Sequence, residues 1–437
     1  MAIGGADGNS LHIIDVTTPT PNGGAVFQGI DGAVTYTRSE DAGATWNVVH
    51  ATLPDADSTI YANGMGADSY SIDANGSTVA IAAGRIDIDW AIWKSTDNGT
   101  TWAKTIVNDF PFDNYDDVNS ITDVNLDGYA DTVLTVDGKV EVLVDNNGMV
   151  HAWAGAMLIF DDVIADPLGL FLSTDGLLYW NESMGPDSSV VIAQSPDIDL
   201  SGTLDFAYDY APRYGNGGQT TQPSAAIDPF GNIIVSYVTL IENTTSGNPT
   251  PLDFSYRNNF MMGSGDNGAT WNTAVNIGNS NYDECVFASV SRSVVNNCVD
   301  VIWQQDGLPG IAVQPPIDGD QTSHPYGNND IIHDCIDITT LGLTVGINEI
   351  EEAQLNLNLY PNPASDKVRI EVSLEKDADI QFEVLNALGQ VVYNIDAIQY
   401  ASGKHVIELD VNAWNSGMYF VNATIGESNK SIKFVVN

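Results

Sequence analysis

Basic residues are scarce in this chain of 437 residues. Lysine and arginine together number 14 against 58 aspartates and glutamates, so the formal net charge is −44. A field of this sign repels the phosphates of nucleic acids and the headgroups of anionic lipids. We therefore expect no nucleic-acid partner, and divalent cations are the natural counterions of the acidic surface.

Long apolar runs are also missing. No stretch approaches the roughly 20 apolar residues that a membrane-spanning helix needs, so we expect no direct membrane insertion. Residues Met1 to Ser10 lack the basic start and the apolar middle of a signal peptide. The protein is thus either cytoplasmic or secreted with a signal peptide that is absent from this sequence, and the C-terminus described below favours secretion.

The cysteines, the histidines and the lack of helical periodicity argue against a disulfide-rich scaffold, a zinc helix and a helical fold. Three cysteines, Cys285, Cys298 and Cys335, permit at most one internal disulfide and one free thiol, and the sequence leaves the pairing open. The six histidines are scattered and include no His-Glu-x-x-His zinc helix. Apolar residues recur in short alternating runs and never over a long helical period, which predicts an all-β fold.

One eight-residue pattern, Ser-x-Asp-x-Gly-x-Thr-Trp, occurs three times. Its aspartate can accept hydrogen bonds from turn amides, its glycine can adopt positive φ, and its tryptophan can pack between neighbouring strands. The pattern therefore predicts the tip of a β-hairpin, repeated. The key residues of these first, second and third boxes are Ser39, Asp41, Gly43 and Trp46; Ser95, Asp97, Gly99 and Trp102; and Ser264, Asp266, Gly268 and Trp271. Residues Ser173 to Trp180 form a weaker fourth copy.

The boxes resemble the Asp-boxes of sialidase-like (BNR) β-propellers. In that family the box lies on the hairpin that joins the outer strands of a blade, away from the central face where ligands bind. The resemblance implies that residues 1–342 form a β-propeller, for which we expect six or seven blades. It assigns a structural role to the boxes. Radial repetition suits an all-β chain of this size because it leaves only short strand edges.

The spacing of turn residues and the composition of the chain change near its C-terminus. Residues 343–355 are predicted to be a linker. Residues 356–437 hold 6 of the 14 basic and 10 of the 58 acidic residues, which leaves 8 and 48 upstream. Seven short alternating strands in this last segment predict a small immunoglobulin-like β-sandwich.

Several motifs in this segment carry a second resemblance. Pro361 and Pro363 rigidify its entry, Gly389 permits a tight hairpin, and Gly417 opens the penultimate strand. The motifs are Tyr360-Pro361-Asn362-Pro363, Gly389 followed by Gln-Val-Val, and Gly417-Met418-Tyr419. They resemble the type A sorting domain of the type IX secretion system of Bacteroidota.

That resemblance implies a secreted or cell-surface protein. It implies three partners for the C-terminal domain: the type IX translocon, its outer-membrane shuttle barrel and a surface sortase. In the family the sorting domain crosses the outer membrane with its cargo and can then be removed.

Two acidic loops are candidate Ca²⁺ sites. Oxygen side chains at positions 1, 3, 5 and 9, a carbonyl at position 7 and a glycine at position 6 suit a hard cation. Position 12 of the first loop, Leu134, is not glutamate, so the loop is not a complete EF-hand. The alternative is a turn held by side chain to backbone hydrogen bonds. The expected ligands are Asp123, Asn125, Asp127, Tyr129 and Asp131 in the first loop, and Asp197, Asp199, Ser201, Thr203 and Asp205 in the second.

The sequence argues against sialidase activity. Sialidases use an arginine cluster, whereas residues 1–342 contain five dispersed arginines, and Gly84-Arg85-Ile86-Asp87 is a poor match to the Arg-Ile-Pro signature. A negative field also opposes an anionic sugar. We assign no catalytic residue and expect a protein that binds a glycan or another surface protein. The alternative is a glycoside hydrolase with carboxylates on the central propeller face.

Overall fold

The structure, a computed structural model, describes residues 1–66, 69–165, 168–206, 214, 217–244, 247, 254–311, 327–344, 356–374, 378–425 and 428–437. The chain forms two compact units, Met1–Val345 and Gly346–Asn437. Most of the predicted linker lies outside the described residues. The described part of the chain is built from antiparallel strands, with 3-10 turns at Thr20–Asn22, Glu182–Met184 and Ile338–Leu341. It contains no helix long and apolar enough to cross a membrane.

The described residues of the first unit form five antiparallel sheets in chain order. The first two sheets contain β1 (Ala2–Gly4), β2 (Ser10–Val16), β3 (Val34–Ser39) and β4 (Val48–Thr52), then β5 (Tyr70–Asn75), β6 (Thr78–Arg85), β7 (Ile88–Ser95) and β8 (Ala103–Asn108). The third contains β9 (Val133–Val144), β10 (Val150–Phe160), β11 (Gly169–Phe171), β12 (Leu177–Asn181) and β13 (Val190–Ala193). The last two contain β14 (Thr221–Ile227), β15 (Ile233–Leu240), β16 (Arg257–Ser264) and β17 (Val275–Asn276), then β18 (Glu284–Val290), β19 (Cys298–Asp306) and β20 (Asp330–Asp337).

Five sheets are fewer than the six or seven blades expected from the sequence. The long interval between the second and third boxes contains the whole third sheet, which has no box. The weak fourth copy is not a box in structure, because Trp180 is a buried residue of β12 and precedes the turn that follows this strand.

The three boxes adopt one conformation at the turn after the third strand of their sheets. In the second box, the Gly99 amide donates to Ser95 Oγ at 2.8 Å, and the Thr101 amide donates to Asp97 Oδ1 at 2.8 Å. Hydrogen bonds from the Thr101 amide and hydroxyl lower the pKa of Asp97 to about 2. Gly99 has φ +76°. In this turn the aspartate accepts from a backbone amide and the glycine has positive φ, which are the contacts and the conformation that the pattern predicts.

The second and third boxes also hold neighbouring sheets together. Tyr36 of the first sheet meets Trp102 edge-on at 5.0 Å, and Tyr179 of the third sheet meets Trp271 in the same way at 5.1 Å. The phenol enters the space above the box glycine, since a Cβ atom built on Gly99 would lie 1.9 Å from Tyr36 Oη. Glycine is thus required by both the turn and the sheet contact.

The same tyrosines are oriented by buried histidines. His12 Nδ1 lies 2.7 Å from Tyr36 Oη, and His151 Nδ1 lies 2.8 Å from Tyr179 Oη. Trp46 of the first box differs, because it is 41% exposed. The predicted packing of the box tryptophan against a neighbouring sheet therefore holds for the second and third boxes and not for the first.

The core of the first unit lies between consecutive sheets. Trp93 packs between the first and second sheets, Trp153 between the third and fourth, and Trp303 with residues of the fourth and fifth. Burying such aromatic side chains supplies much of the hydrophobic stabilisation of an all-β unit. Cys298 and Cys335 form a disulfide between β19 and β20, and Cys285 is a buried free thiol.

The second unit is a sandwich of two antiparallel sheets around one apolar core. Asn362 fastens the last strand, because its Oδ1 accepts from the Val435 amide at 3.0 Å. Gly389 has φ +78° at the tip of a hairpin, and Gly417 begins the penultimate strand, as the sequence predicts. The strands are β21 (Asn356–Tyr360), β22 (Lys367–Leu374), β23 (Ala378–Asn386), β24 (Val391–Tyr400), β25 (Gly403–Asp410), β26 (Gly417–Ile425) and β27 (Ser428–Val436).

A pair of glycine substitutions tests the contact between sheets. Gly99→Ala should lower the free energy of unfolding by about 2–5 kcal/mol, because positive φ costs ~1–2 kcal/mol and overpacking ~1–3 kcal/mol. The matched control is Gly231→Ala, since Gly231 has φ +87° but no atom within 4 Å of a built Cβ. Urea unfolding should therefore show a clearly smaller loss for the control. Equal losses would contradict the proposed role of the Tyr36 contact.

Candidate functional site

A cavity with a mixed polar and apolar wall lies where the first strands of the five sheets converge. Its volume is about 570 Å³, and β1, β5, β9, β14 and β18 all contribute to its wall. Consecutive sheets also touch along these strands, since β9 contacts β5 and β14 contacts β9. The polar and aromatic residues that line the cavity are Tyr70, Ser71, Asp73, Glu141, Ser224, Ser289 and Arg292.

An ion pair forms one side of the cavity. Arg292 follows β18, and its Nε donates to Asp73 Oδ1 at 2.6 Å while its Nη2 donates to the Val144 carbonyl at 2.8 Å. The other oxygen of Asp73 accepts from the Val144 amide at 2.8 Å. Asp73 is buried and Arg292 is partly exposed. The pair therefore joins three sheets and presents a guanidinium group to the cavity.

Glu141 stands beside this ion pair. The Ser71 hydroxyl donates to Glu141 Oε2 at 3.1 Å. Burial, reinforced by the negative charge of Asp73, raises the pKa of Glu141 to about 8. Glu141 is therefore largely protonated at neutral pH, so it can donate a hydrogen bond as well as accept one.

Sequence reasoning did not single out Asp73, Glu141 or Arg292. The available signal was local, because Glu141 interrupts an apolar strand, Val140-Glu-Val-Leu-Val144, and Asp73 lies between Ile72 and Ala74. A charged residue in a buried strand requires a partner. The sequence could not show that these three residues, which belong to different sheets, meet at one place.

The other described arginines do not join Arg292. Arg38 donates to the Asn98 carbonyl at 2.7 Å between the first two sheets, and Arg85 pairs with Asp87. Arg257 is fully buried and donates to the Gly218 carbonyl at 3.1 Å. Arg213 lies outside the described residues. Arg38, Arg85 and Arg257 are thus not among the residues that line the cavity with Arg292.

Arg257 belongs to a second, fully buried polar group. Tyr214 Oη donates to Glu284 Oε1 at 2.6 Å, the Arg257 amide donates to Glu284 Oε2 at 2.6 Å, and the guanidinium lies 5.3 Å from the Tyr214 ring centre. Burial raises the pKa of Glu284 to about 7. Tyrosine, glutamate and arginine also occur in sialidase sites. Here the three side chains are buried, and Arg257 and Glu284 are the first residues of β16 and β18.

The first acidic loop is a tight turn held by its own carboxylates. Asp123 accepts from the Asp127 amide at 3.0 Å and the Gly128 amide at 2.8 Å. Asn125 Oδ1 accepts from the Asp127 amide, and Asp131 Oδ2 accepts from the Val124 amide, both at 3.0 Å. The Tyr129 amide donates to Asp127 Oδ1 at 3.0 Å. These bonds form a side chain to backbone turn, and within it Asp123 Oδ1 and Asn125 Oδ1 both accept from the Asp127 amide.

The second loop has the same backbone pattern. Asp197 accepts from the Ser201 amide at 3.1 Å and the Gly202 amide at 2.8 Å, and Asp199 accepts from the Ser201 amide at 3.0 Å. Ser201 Oγ donates to the Thr203 carbonyl at 2.9 Å. The two loops therefore share one turn, although the second carries a serine at position 5.

Glu242 takes the place in the second loop that Asp131 occupies in the first. It is buried and accepts from the Ile198 and Asp199 amides, the latter at 2.9 Å. Oxygens of Asp197, Asp199 and Glu242 lie within 4.8 Å of one another. The amide of Asp205, the predicted ninth-position ligand, donates to Glu242 Oε2 at 3.4 Å. Glu242 was not predicted, because it lies 37 residues beyond Asp205.

Comparison with known families concerns the second unit. Residues 358–437 match the family described as secretion system C-terminal sorting domain. This match confirms the resemblance noted for Tyr360 to Pro363, Gly389 and Gly417 to Tyr419. A C-terminal sorting domain of this kind indicates a cargo of the type IX secretion system and implies delivery to the cell surface or the exterior.

The solved structures to which this chain is similar share little sequence with it. A protein of unknown function from Dyadobacter fermentans has 10% identity and a TM-score of 0.36, with 99% of this chain and 93% of that chain covered. PorZ, a surface component of the type IX secretion system of Porphyromonas gingivalis, has 12% identity and a TM-score of 0.24, with 100% and 51% covered. Trypanosoma rangeli sialidase has 7% identity and a TM-score of 0.27, with 99% and 83% covered. A sequence comparison with curated proteins finds no match.

The raised pKa of Glu141 predicts a pH-dependent stability. The folded state holds this proton up to about pH 8, whereas the unfolded chain releases it near 4.5. The free energy of unfolding should therefore fall as pH rises between these values, by at most about 1.4 kcal/mol per pH unit. Glu141→Gln removes the titrating carboxyl group. Between pH 5 and 8, urea unfolding should therefore show a smaller fall in the free energy of unfolding for this variant than for the wild type. The exposed residue Asp162 offers a control, Asp162→Asn, and parallel curves for wild type and Glu141→Gln would contradict the assignment.

Proposed function

We propose that this protein is a surface-delivered Asp-box β-propeller that binds a hydroxyl-rich ligand, such as a glycan, in its central cavity. The observation that carries the proposal is the convergence of the first strands of five sheets on a cavity that contains hydroxyl, carboxyl and guanidinium groups, in a chain that carries a sorting domain. Calcium stabilises two loops of the propeller, and the type IX translocon, shuttle barrel and sortase act on the sorting domain.

The sheet arrangement supports the propeller assignment. Five sheets follow one another in the chain, and each contacts the next through its first strands. The three boxes join the third and fourth strands of their sheets. They therefore lie on the far side of the sheet from its first strand, which lines the cavity. This is the placement that the Asp-box resemblance implies.

The chemistry of the cavity supports the class of ligand. The hydroxyl groups of Ser71, Ser224 and Ser289, the carboxyl group of Glu141 and the guanidinium of Arg292 provide several donors and acceptors. Such groups recognise the hydroxyls of a sugar, and a ligand without negative charge avoids repulsion by the acidic protein.

One observation favours glycoside hydrolysis as the second candidate. Glu141, largely protonated, and Asp73, paired with Arg292, are two carboxyl groups in one cavity, which is the minimum set for acid-assisted cleavage of a glycosidic bond. The same protein preparation applied to a glycan array and to a panel of fluorogenic glycosides distinguishes the candidates. Retention without turnover supports binding, and turnover that Glu141→Gln abolishes supports hydrolysis.

Deleting residues 356–437 tests the sorting assignment. The truncated chain should accumulate inside a host that is competent for type IX secretion, whereas the full chain should reach the surface. Surface proteolysis and fractionation measure the two populations. The first unit is a separate compact unit, so the truncated chain should keep its all-β circular dichroism. Surface delivery of the truncated chain would refute the assignment.

The loop geometry supports calcium binding as part of this proposal. In both loops, position 1 and position 3 place oxygens on the same side of a turn that contains a positive-φ glycine, Gly128 or Gly202. In the second loop, Glu242 adds a carboxylate from a neighbouring segment. Oxygen ligands from aspartate, asparagine and glutamate are those that Ca²⁺ prefers.

Calcium should therefore raise the melting temperature of the full chain. Saturation at about 100 times the dissociation constant adds about 2.7 kcal/mol per site. Asp127→Ala and Glu242→Gln should each remove part of the increase, and the double variant should remove most of it. Asp162→Asn serves as the control. Melting curves that coincide in calcium and in chelator would contradict the proposal.

A further inference from the structure

The strand β24 forms one edge of the larger sheet of the sorting domain. The strand order of this sheet is β24-β23-β26-β27. Along its 10 residues β24 pairs with β23 only, so its other edge has no strand partner among the described residues of the domain. Such an edge exposes unpaired backbone groups that can accept a strand from another protein.

The side chains around this edge are apolar and exposed. Leu388, in the hairpin before the strand, is 83% exposed, Val391 is 54% exposed and Ile398 is 50% exposed. Together with Val392 and Tyr393 these residues define the β24 patch. Residues 391–400 contain no lysine, arginine or proline, and Asp396 is their only charged residue. Exposed apolar side chains along an unpaired strand edge favour an interaction site.

The smaller sheet of the domain, by contrast, carries a group of paired charges. On the smaller sheet, Lys404 pairs with Glu371 at 2.8 Å, and Lys367 and Arg369 both pair with Glu408. Folded proteins commonly protect sheet edges and faces with charged residues, above all lysine. The absence of such protection along β24 distinguishes this edge from the charged face of the smaller sheet.

We propose that the β24 patch is the surface through which the sorting domain docks on a protein component of the type IX secretion machinery, by adding an apolar strand or sheet edge to β24. The inference rests on the proposed sorting function and names the docking surface for it. Strand addition supplies main-chain hydrogen bonds, and the exposed side chains of β24 supply selectivity.

Charge disfavours a second copy of this chain as the occupant. The residues before 356 carry 48 acidic and 8 basic side chains, so two copies repel each other strongly. The secretion machinery is the better occupant, because a sorting domain has to be recognised whatever cargo precedes it. Two register shifts divide the β23–β24 pairing into short regular stretches, such as Tyr393 to Ile395 opposite Val384 to Phe382. An added strand would therefore contact a limited segment and could be released.

A matched pair of double variants of the full chain tests the proposal. V392K/I398K places two charges in the patch, whereas V406K/M418K places two charges at positions of similar exposure, 52% and 46%, elsewhere in the domain. In a host competent for type IX secretion, the patch variant should reach the surface at least about tenfold less than wild type, a loss of about 1.4 kcal/mol. The control should be secreted like wild type. Purified chains should keep equal melting temperatures.

Each other outcome has a definite meaning. Normal secretion of V392K/I398K, while the chain lacking residues 356–437 stays inside, would overturn the docking surface and leave the sorting function intact. Secretion of the truncated chain would refute the sorting function itself. A wild-type dimer in light scattering that V392K/I398K converts to a monomer would identify a second copy as the occupant. If the lysine substitutions of V392K/I398K lower the melting temperature, the variant with Val392→Thr and Ile398→Thr is used in its place. Normal secretion of that variant would equally overturn the proposal.

Discussion

The contact between a tyrosine of one sheet and the box glycine of the next organises the first unit. Gly99 and Gly268 satisfy two requirements together, since their positive φ closes the hairpin turn and their missing side chain leaves room for Tyr36 or Tyr179. The box aspartate makes this geometry rigid by accepting the turn amides. A local turn thereby sets the packing of neighbouring sheets.

The cavity lies where the first strands of the packed sheets meet. When consecutive sheets are held side by side, their first strands converge, and residues that are far apart in the chain meet there. Asp73, Glu141 and Arg292 come from three different sheets. Burial of Glu141 among the packed strands is the main reason for its raised pKa. The neighbouring charge of Asp73 raises it further. Sheet packing and site chemistry are thus coupled.

Sequence patterns predicted the local features well. The box turns, the hairpin at Gly389 and the seven strands of the sorting domain follow from short-range rules of backbone conformation and alternation. The predictions failed where neighbours in space mattered. Trp46 is exposed although Trp102 and Trp271 are packed, the segment at Ser173 is no box, and five sheets are described where six or seven were expected.

The sequence alone determined the all-β class, the two-part organisation, the repeated turns and the sorting address, because each depends on residues close together in the chain. Only the tertiary structure decided which distant residues share a site. Glu242 meets Asp197 and Asp199 where two loops approach each other, and Glu141 lines the same cavity as Asp73 and Arg292, and no local pattern encodes either arrangement. The physical reason is that local spacing governs backbone turns, whereas the meeting of charges depends on how whole sheets pack.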